Sequence, residues 1–355
     1  MGTVVGMGRS RQLPAFFELA MQMPITVLRT PEFAFKNNRS VDLLATVAFT
    51  IRSAPEYWRS LQALKARVAD LQPDVILNFF EPLTGIYALT TRRRPPVVAI
   101  GHQFMFEHPH YIRAPGLRLE QWGMKWFVRL VGSASTRMAL SFYEAADIPQ
   151  RSLFVCPPIL RRSLFELQPN PNGDFVLVYL LNHGYEDQII KWHRANRSVS
   201  LHCFYDKPGA PAEDRRNATL TFHRLDGQKF LRMMANCKYV VCTAGFESVS
   251  EAAYLGKPLF MVPVENHVEQ QINAVDAVRC GFGVTDKTFN LDRLKELPAR
   301  LSNGEFRDWL KEAHAVLLRV IQHATDDLRS ASSERNVAAR DADRAAAQIP
   351  APQPE

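Results

Sequence analysis

One stretch constrains this chain more than any other: VVCTAGFESVSEAAYLGKPLFMVPVENHVEQQINA, from Val240 to Ala274. The apolar run Lys238 to Cys242 predicts a buried strand, Thr243-Ala244-Gly245 a tight turn, and the residues from Phe246 a helix that stops at Gly256. Lys257-Pro258 leads into a second apolar strand, Leu259 to Val262, and after Pro263 a further helix begins that carries Glu269, Gln270 and Asn273. A strand, a glycine turn and a helix in succession leave backbone N–H groups unpaired at the helix N-terminus, where phosphate is favoured. Glu251, one and a half turns into that helix, is placed to accept hydrogen bonds from sugar or ribose hydroxyls. The chemistry is that of a nucleotide-sugar site.

The block resembles the donor-binding signature of GT-B glycosyltransferases, as found in UDP-glycosyltransferases and in the lipid II-forming N-acetylglucosaminyltransferase type (the family 28 C-terminal domain). The pattern G-[aromatic]-x-S-x-x-E, then G-x-P, a proline at a strand end, and an acidic-Gln pair followed by Asn-Ala is met by Gly245, Phe246, Ser248, Glu251, Gly256, Pro258, Pro263, Glu269, Gln270, Asn273 and Ala274. A lone glycine turn is common in α/β proteins; an ordered set in the right strand-turn-helix context is not. The resemblance implies that Glu251 holds the ribose hydroxyls, that the turn at Thr243 and Gly245 with Ser248 holds the diphosphate, and that Glu269 and Gln270 hold the donor sugar. Thr243 stands where plant-type relatives often carry His, and Glu247 where they often carry Asn, which leaves the base and sugar open. The resemblance also implies no metal for donor binding and no cofactor beyond the nucleotide-diphosphate sugar as co-substrate.

Strand and helix signals alternate through both halves. In the first, Thr3 to Val5, Val75 to Phe79, Val97 to Ile100 and Ala139 to Phe142 read as strands, with helices over Gln12 to Met21 and Ala63 to Leu71. In the second, Phe175 to Tyr179, Ser200 to Phe204 and Leu220 to Phe222 read as strands, with helices over Glu186 to Ala195 and Gly227 to Cys237 and a helical pattern from Asp292 to Ala324. Such alternation predicts α/β domains with mostly parallel sheets. Two Rossmann-like domains facing a cleft are the GT-B architecture: an N-terminal acceptor domain over 1–160, a donor domain over 161–325 and a low-complexity tail over 326–355. The proline-rich stretch Cys156 to Pro171 reads as the connection between them.

Ligands of open parallel sheets bind beyond the carboxyl ends of the strands. That rule selects the loop at Asn182, His183 and Gly184, a second cradle for the donor phosphates, and the loop His223 to Leu225; the resemblance implies that the backbone near Leu225 pairs with the base. In the first half it selects Glu81 and His102. GT-B enzymes begin with a strand and a Gly/His-rich loop that often supplies the general base, and the opening TVVGMGRSRQLPAFF resembles instead the second strand-helix unit of that family. The expectation is a start assigned too late, a sheet with exposed apolar surface and an open edge, and His102 or Glu81 as substitute base. For each, a structural role competes: a hydrogen-bonded histidine and a helix cap.

A chain of 355 residues with 46% hydrophobic and 22% charged content suits two globular domains. The net charge of +7 is compatible with a diphosphate donor or an anionic membrane. Nucleic acid is not expected, because the basic residues are dispersed apart from Arg92-Arg93-Arg94 and no recognition motif accompanies them. Five scattered cysteines form no C-x-x-C pair, which fits a reducing cytoplasm. His102, His108 and His110 lack a carboxylate or thiol at ligand spacing, so no metal is expected. In Gly116 to Gly132, Leu119, Trp122, Trp126, Phe127 and Leu130 can share a helical face beside Arg118, Lys125 and Arg129. That pattern suits a peripheral contact with anionic lipid or, as an ordinary core-facing helix, packing inside the domain.

The leading expectation is an inverting glycosyltransferase acting from a nucleotide-diphosphate sugar, UDP-linked, on a hydroxyl acceptor, with lipid-linked acceptors included. The alternatives are a non-catalytic nucleotide-sugar binder and a nucleotide-sugar 2-epimerase.

Overall fold

The computed structural model of the chain describes residues 3–7, 23–31, 34–36, 40–111, 118–133, 135–180 and 183–326. The expected helix Gln12 to Met21, and the site residue Asn182, lie outside them.

The first half opens with β1 (Thr3–Met7) and β2 (Ile25–Arg29), paired in parallel, and a small antiparallel pair, β3 (Ala34–Lys36) and β4 (Ser40–Asp42). β1 is five residues long rather than the three expected. Helices α1 (Leu43–Arg52) and α2 (Ala54–Leu71) follow. α2 carries a proline in its first turn and closes at Gln72, whose left-handed backbone sends its N–H to Val68 O. Then come β5 (Ile76–Phe79), α3 (Pro82–Thr90), β6 (Val97–Gly101), α4 (Arg118–Gly132), β7 (Thr136–Leu140) and β8 (Leu153–Cys156). Strands β5-β6-β7-β8 form a four-stranded, all-parallel sheet in that order. β7 starts and ends earlier than the expected Ala139 to Phe142, because Ser141 leaves the strand direction once its N–H has paired with Cys156 O. β5 is the end strand of this sheet, with Leu77 and Phe79 41% and 66% exposed, and its Ile76 packs in one cluster with Leu28 of β2.

A short helix α5 (Arg162–Phe165) leads into the second half: β9 (Phe175–Leu180), α6 (Glu186–Ala195), β10 (Ser200–Tyr205), β11 (Glu213–Arg215), β12 (Leu220–Arg224), α7 (Gly227–Asn236), β13 (Tyr239–Cys242), α8 (Phe246–Tyr254), β14 (Leu259–Met261), α9 (Val268–Arg279), β15 (Gly283–Thr285) and α10 (Gly304–Lys311). Its sheet runs β11-β12-β10-β9-β13-β14-β15, parallel throughout except for β11 on β12. β9 is a continuous apolar run, as a strand covered on both faces must be, and β10 and β12 are buried along most of their length although they carry His202, Thr221 and His223. The single helical pattern expected from Asp292 to Ala324 is broken: a 3-10 turn over Leu291–Glu296, then α10, then helical residues 313–326. Pro298 and Gly304 interrupt the run.

These last helices return to the first half. Trp309 Nε1 donates to Ser141 O at 3.1 Å, Arg319 pairs with Asp147 at 2.9 Å, and Val316 and Val320 are buried. One apolar cluster joins Leu140, Phe142 and Phe154 of the first half to Leu177, Val240 and Phe246 of the second. The two Rossmann-like layers therefore share a core where the cleft closes. Among the described residues no helix is long and apolar enough to cross a membrane.

Candidate donor site

At the end of β13 the chain turns through Thr243, Ala244 and Gly245 into α8. Ala244, not the glycine, takes the left-handed conformation (φ 59°). Its carbonyl accepts from Asn273 Nδ2 at 3.1 Å, so α9 holds the turn in place. Gly245 is the N-cap of α8 with φ −65°, which any residue adopts, and a Cβ there would meet nothing within 4 Å. The glycine keeps space open in front of the helix rather than supplying an unusual backbone angle. No side chain caps α8, so the N–H groups of its first turn point into that space with their partial positive charge.

Glu251 sits on the inner face of α8, its side chain only 4% exposed. Oε1 accepts from Arg161 Nε at 2.5 Å, whereas Oε2 is buried without a protein partner. Burial raises its carboxyl above the usual range, and the Arg161 guanidinium opposes that shift. Glu247, one turn earlier and open to the cleft, is raised to about 7, first by desolvation and then by the like charge of Glu251. Ser248 is half-buried in the same first turn. Leu225 is 42% exposed at the end of β12, and the next residue, Asp226, caps α7 by accepting from Gln228 and Lys229 N–H groups. His183 hydrogen-bonds Asp206 O at 3.1 Å beside Gly184, at the end of β9.

The acidic-Gln pair divides. Glu269 is half-buried in the first turn of α9, while Gln270 is buried and accepts from Val264 N at 2.9 Å, fixing the loop after β14. His267 caps α9 by accepting from the Gln270 N–H at 3.4 Å; sequence reasoning passed over it, although a polar residue before a helical run is a cap signal. Asn273 is fully buried, its Nδ2 spent on Ala244. Phe246 faces away from the nucleotide space: it is 6% exposed and stacks on His102 (centroids 4.0 Å, 18°) and Phe142 (4.6 Å, 28°). It joins the two halves.

His102 and Glu81 have structural partners. His102 is 2% exposed; Nδ1 bonds Leu140 O at 2.6 Å and Nε2 pairs with Tyr111 OH at 3.3 Å. Burial pulls its pKa down to about 4, against the backbone bond to Leu140, so the ring is neutral and both nitrogens are occupied. Glu81 is the N-cap of α3, accepting from Leu83 N at 3.1 Å and Thr84 N at 2.9 Å and from the Thr30 hydroxyl. Both residues thus have the structural partners that compete with a role as base. His108 likewise bonds Ala146 O at 3.0 Å, and among the described residues no cluster is arranged to hold a metal.

On α4 the core-facing expectation is half right. Val128 and Val131 are buried and Phe127 packs on Phe80 (5.8 Å), but Trp122, Trp126 and Leu130 point outward at 64%, 53% and 38% exposure.

The sequence model of the family described as Glycosyl transferase family 1 matches residues 4–302. The chain belongs to that family. It is a glycosyltransferase of the GT-B fold, and the match is to the broad family rather than to the lipid II-forming type. Comparison with curated protein sequences found no match. Among solved structures, the glycotransferase of kitacinnamycin is similar at TM-score 0.54 and 15% identity over 93% of this chain and 98% of that one. Arabidopsis thaliana UGT89C1, complexed with UDP, is similar at TM-score 0.54 and 14% identity, covering 91% of each chain. The UDP-GlcNAc 2-epimerase of Neisseria meningitidis, bound to UDP-GlcNAc, is similar at TM-score 0.51 and 15% identity over 91% of this chain and 100% of that one. At these identities the likeness is one of fold.

Proposed function

We propose that this glycosyltransferase takes a UDP-sugar as donor and transfers the sugar to a hydroxyl acceptor with inversion. The observation that carries the reading is the uncapped start of α8 beside Glu251, whose buried Oε2 has no protein partner. Vicinal ribose hydroxyls supply the missing donors, and the diphosphate lies against the helix start. The resemblance of the Val240–Ala274 block and the UDP bound to the Arabidopsis relative support uridine.

In the reaction the acceptor oxygen attacks the anomeric carbon, and the carbon–oxygen bond to the β-phosphate breaks. The diphosphate leaves with the electron pair, and the acceptor proton passes to a base. The partial positive charge at the start of α8 stabilises the leaving diphosphate. Direct displacement inverts the anomeric carbon. Incubation with UDP-sugars and a panel of hydroxyl acceptors, with the product anomer read by NMR, tests the reading; release of a 2-epimerised sugar instead would favour the isomerase alternative.

We also propose that α4 meets an anionic membrane. Trp122, Trp126 and Leu130 recur at helical spacing on its outer face, and Arg129 lies over the Trp126 ring at 5.4 Å. A cavity of about 780 Å³ beside it is lined by Arg94, Lys125, Arg129, Arg137 and Arg151, with Glu107 among them paired to Arg129 and Arg137. Aromatic side chains with flanking cations are the composition of an interfacial helix. Co-sedimentation with phosphatidylglycerol vesicles, but not phosphatidylcholine vesicles, is expected, with loss in the Trp122→Ser/Trp126→Ser variant. Equal recovery with both lipids would contradict the contact.

A further inference from the structure

We infer that Arg161 is a positioning residue of the donor site: it holds Glu251 by one carboxylate oxygen and leaves the other aimed at the ribose hydroxyls. The inference rests on the nucleotide-sugar reading above and assigns a role to a residue of the connecting segment.

Arg161 precedes the short helix α5, and its side chain reaches across to α8. Only Nε is spent on Glu251 Oε1; Nη1 extends toward Gly227, lying 3.4 Å from where a Cβ on that residue would stand. The guanidinium thus spans from the carboxylate to the start of α7, next to Leu225. The guanidinium is partly open to solvent (41%) and the carboxylate is not (4%), so the cation shares its hydration with an anion that has little of its own. A buried carboxylate without a counter-charge takes up a proton. Protonated, Glu251 would offer a donor where two hydroxyls need an acceptor.

The groups around Glu251 make that outcome concrete. Glu247 lies one turn away on α8 with like charge, its own carboxyl raised by burial, by Glu251 and by Glu269 on α9. From β9, the Tyr179 hydroxyl, itself raised by burial and by Asp206, faces the pair. Arg161 is the cation that opposes the rise at Glu251. It fixes both the charge and the orientation of the ribose acceptor, and touches no reacting atom.

The test compares wild type, Arg161→Ala and Arg161→Lys by calorimetric titration with UDP from pH 8 to pH 6. Loss of Arg161 raises the Glu251 pKa, and binding needs the carboxylate, so affinity in Arg161→Ala should fall as pH falls. Glu247, raised to about 7, titrates in this window in all three proteins, so the readout is affinity relative to wild type at each pH. Arg161→Ala should lose about tenfold more than wild type by pH 6, with Arg161→Lys restored toward wild type. A purely structural role would weaken binding equally at every pH and would overturn the inference. A second readout needs no nucleotide: ¹³C NMR titration of labelled glutamate carboxyls, with Glu251→Gln for assignment. The Glu251 signal should titrate at higher pH in Arg161→Ala than in wild type, and an unchanged titration overturns the proposal whether or not UDP is the donor.

Discussion

Phe246 separates two readings of the same motif: a residue that touches donor and a wedge between the halves. The ring is 6% exposed and lies against His102 at 4.0 Å and Phe142 at 4.6 Å. Truncation to Ala removes a buried ring from a site that cannot collapse, which costs about 3–5 kcal/mol. The stacking contribution, roughly 0.5–1.5 kcal/mol per pair, is contained within that figure. Phe246→Leu keeps most of the buried volume and loses the stacking, for about 1–2 kcal/mol. Both changes leave the backbone N–H groups of α8 in place. Because two domains need not unfold as one, the assay is the shift in thermal midpoint by near-ultraviolet circular dichroism at fixed pH, paired with UDP titration. The expected result is a large shift for Ala, a small one for Leu, and wild-type UDP affinity for Leu. A Leu variant that melts as wild type yet loses UDP binding would refute the wedge and return Phe246 to the donor.

Other consequences follow from the same geometry. Burial holds His102 neutral, with a pKa near 4 against 6.5 for the free side chain, so its contribution to stability is present above pH 6.5 and is lost as pH falls toward 4. The full linkage is about 3 kcal/mol; His102→Gln should flatten the acid limb of a stability–pH profile over that window, and an equally steep limb would contradict the buried, neutral ring. Glu81→Ala removes the α3 cap and should cost about 1 kcal/mol with turnover retained; a fall in kcat of about a hundredfold or more would make Glu81 the base instead. Gly245→Val should fold normally, since the backbone angle suits valine and a Cβ meets no atom, but should weaken UDP binding by filling the space before α8; unchanged affinity would place the diphosphate elsewhere.

The strand-turn-helix order from Val240 to Ala274 was legible because local signals agree there: an apolar run, a turn residue, helix formers and a terminating Gly256 with φ 71°. What the sequence could not show is which side chains meet across the cleft. Ala244 takes the left-handed angle because Asn273 on another helix grips its carbonyl, and no local preference predicts that. His102 looks like a free group at a strand end until Phe246 and Tyr111 arrive from elsewhere to cover it. α4 has apolar residues on two sides, and periodicity alone does not say that Val128 and Val131 pack while the tryptophans face out. Arg161 appeared only as part of a proline-rich connection; its role depends on a partner in α8.

The central claim is that Glu251 accepts the ribose hydroxyls, and the most direct measurement is calorimetric titration of UDP into wild type and Glu251→Ala at pH 7.5. In the variant Arg161 remains hydrated at the cleft, so the fold should persist, as its circular dichroism would report. Losing hydrogen bonds to a charged acceptor predicts a rise in Kd of about 10- to 100-fold. Equal affinity in the folded variant would remove Glu251 from the site and, with it, the donor assignment made here.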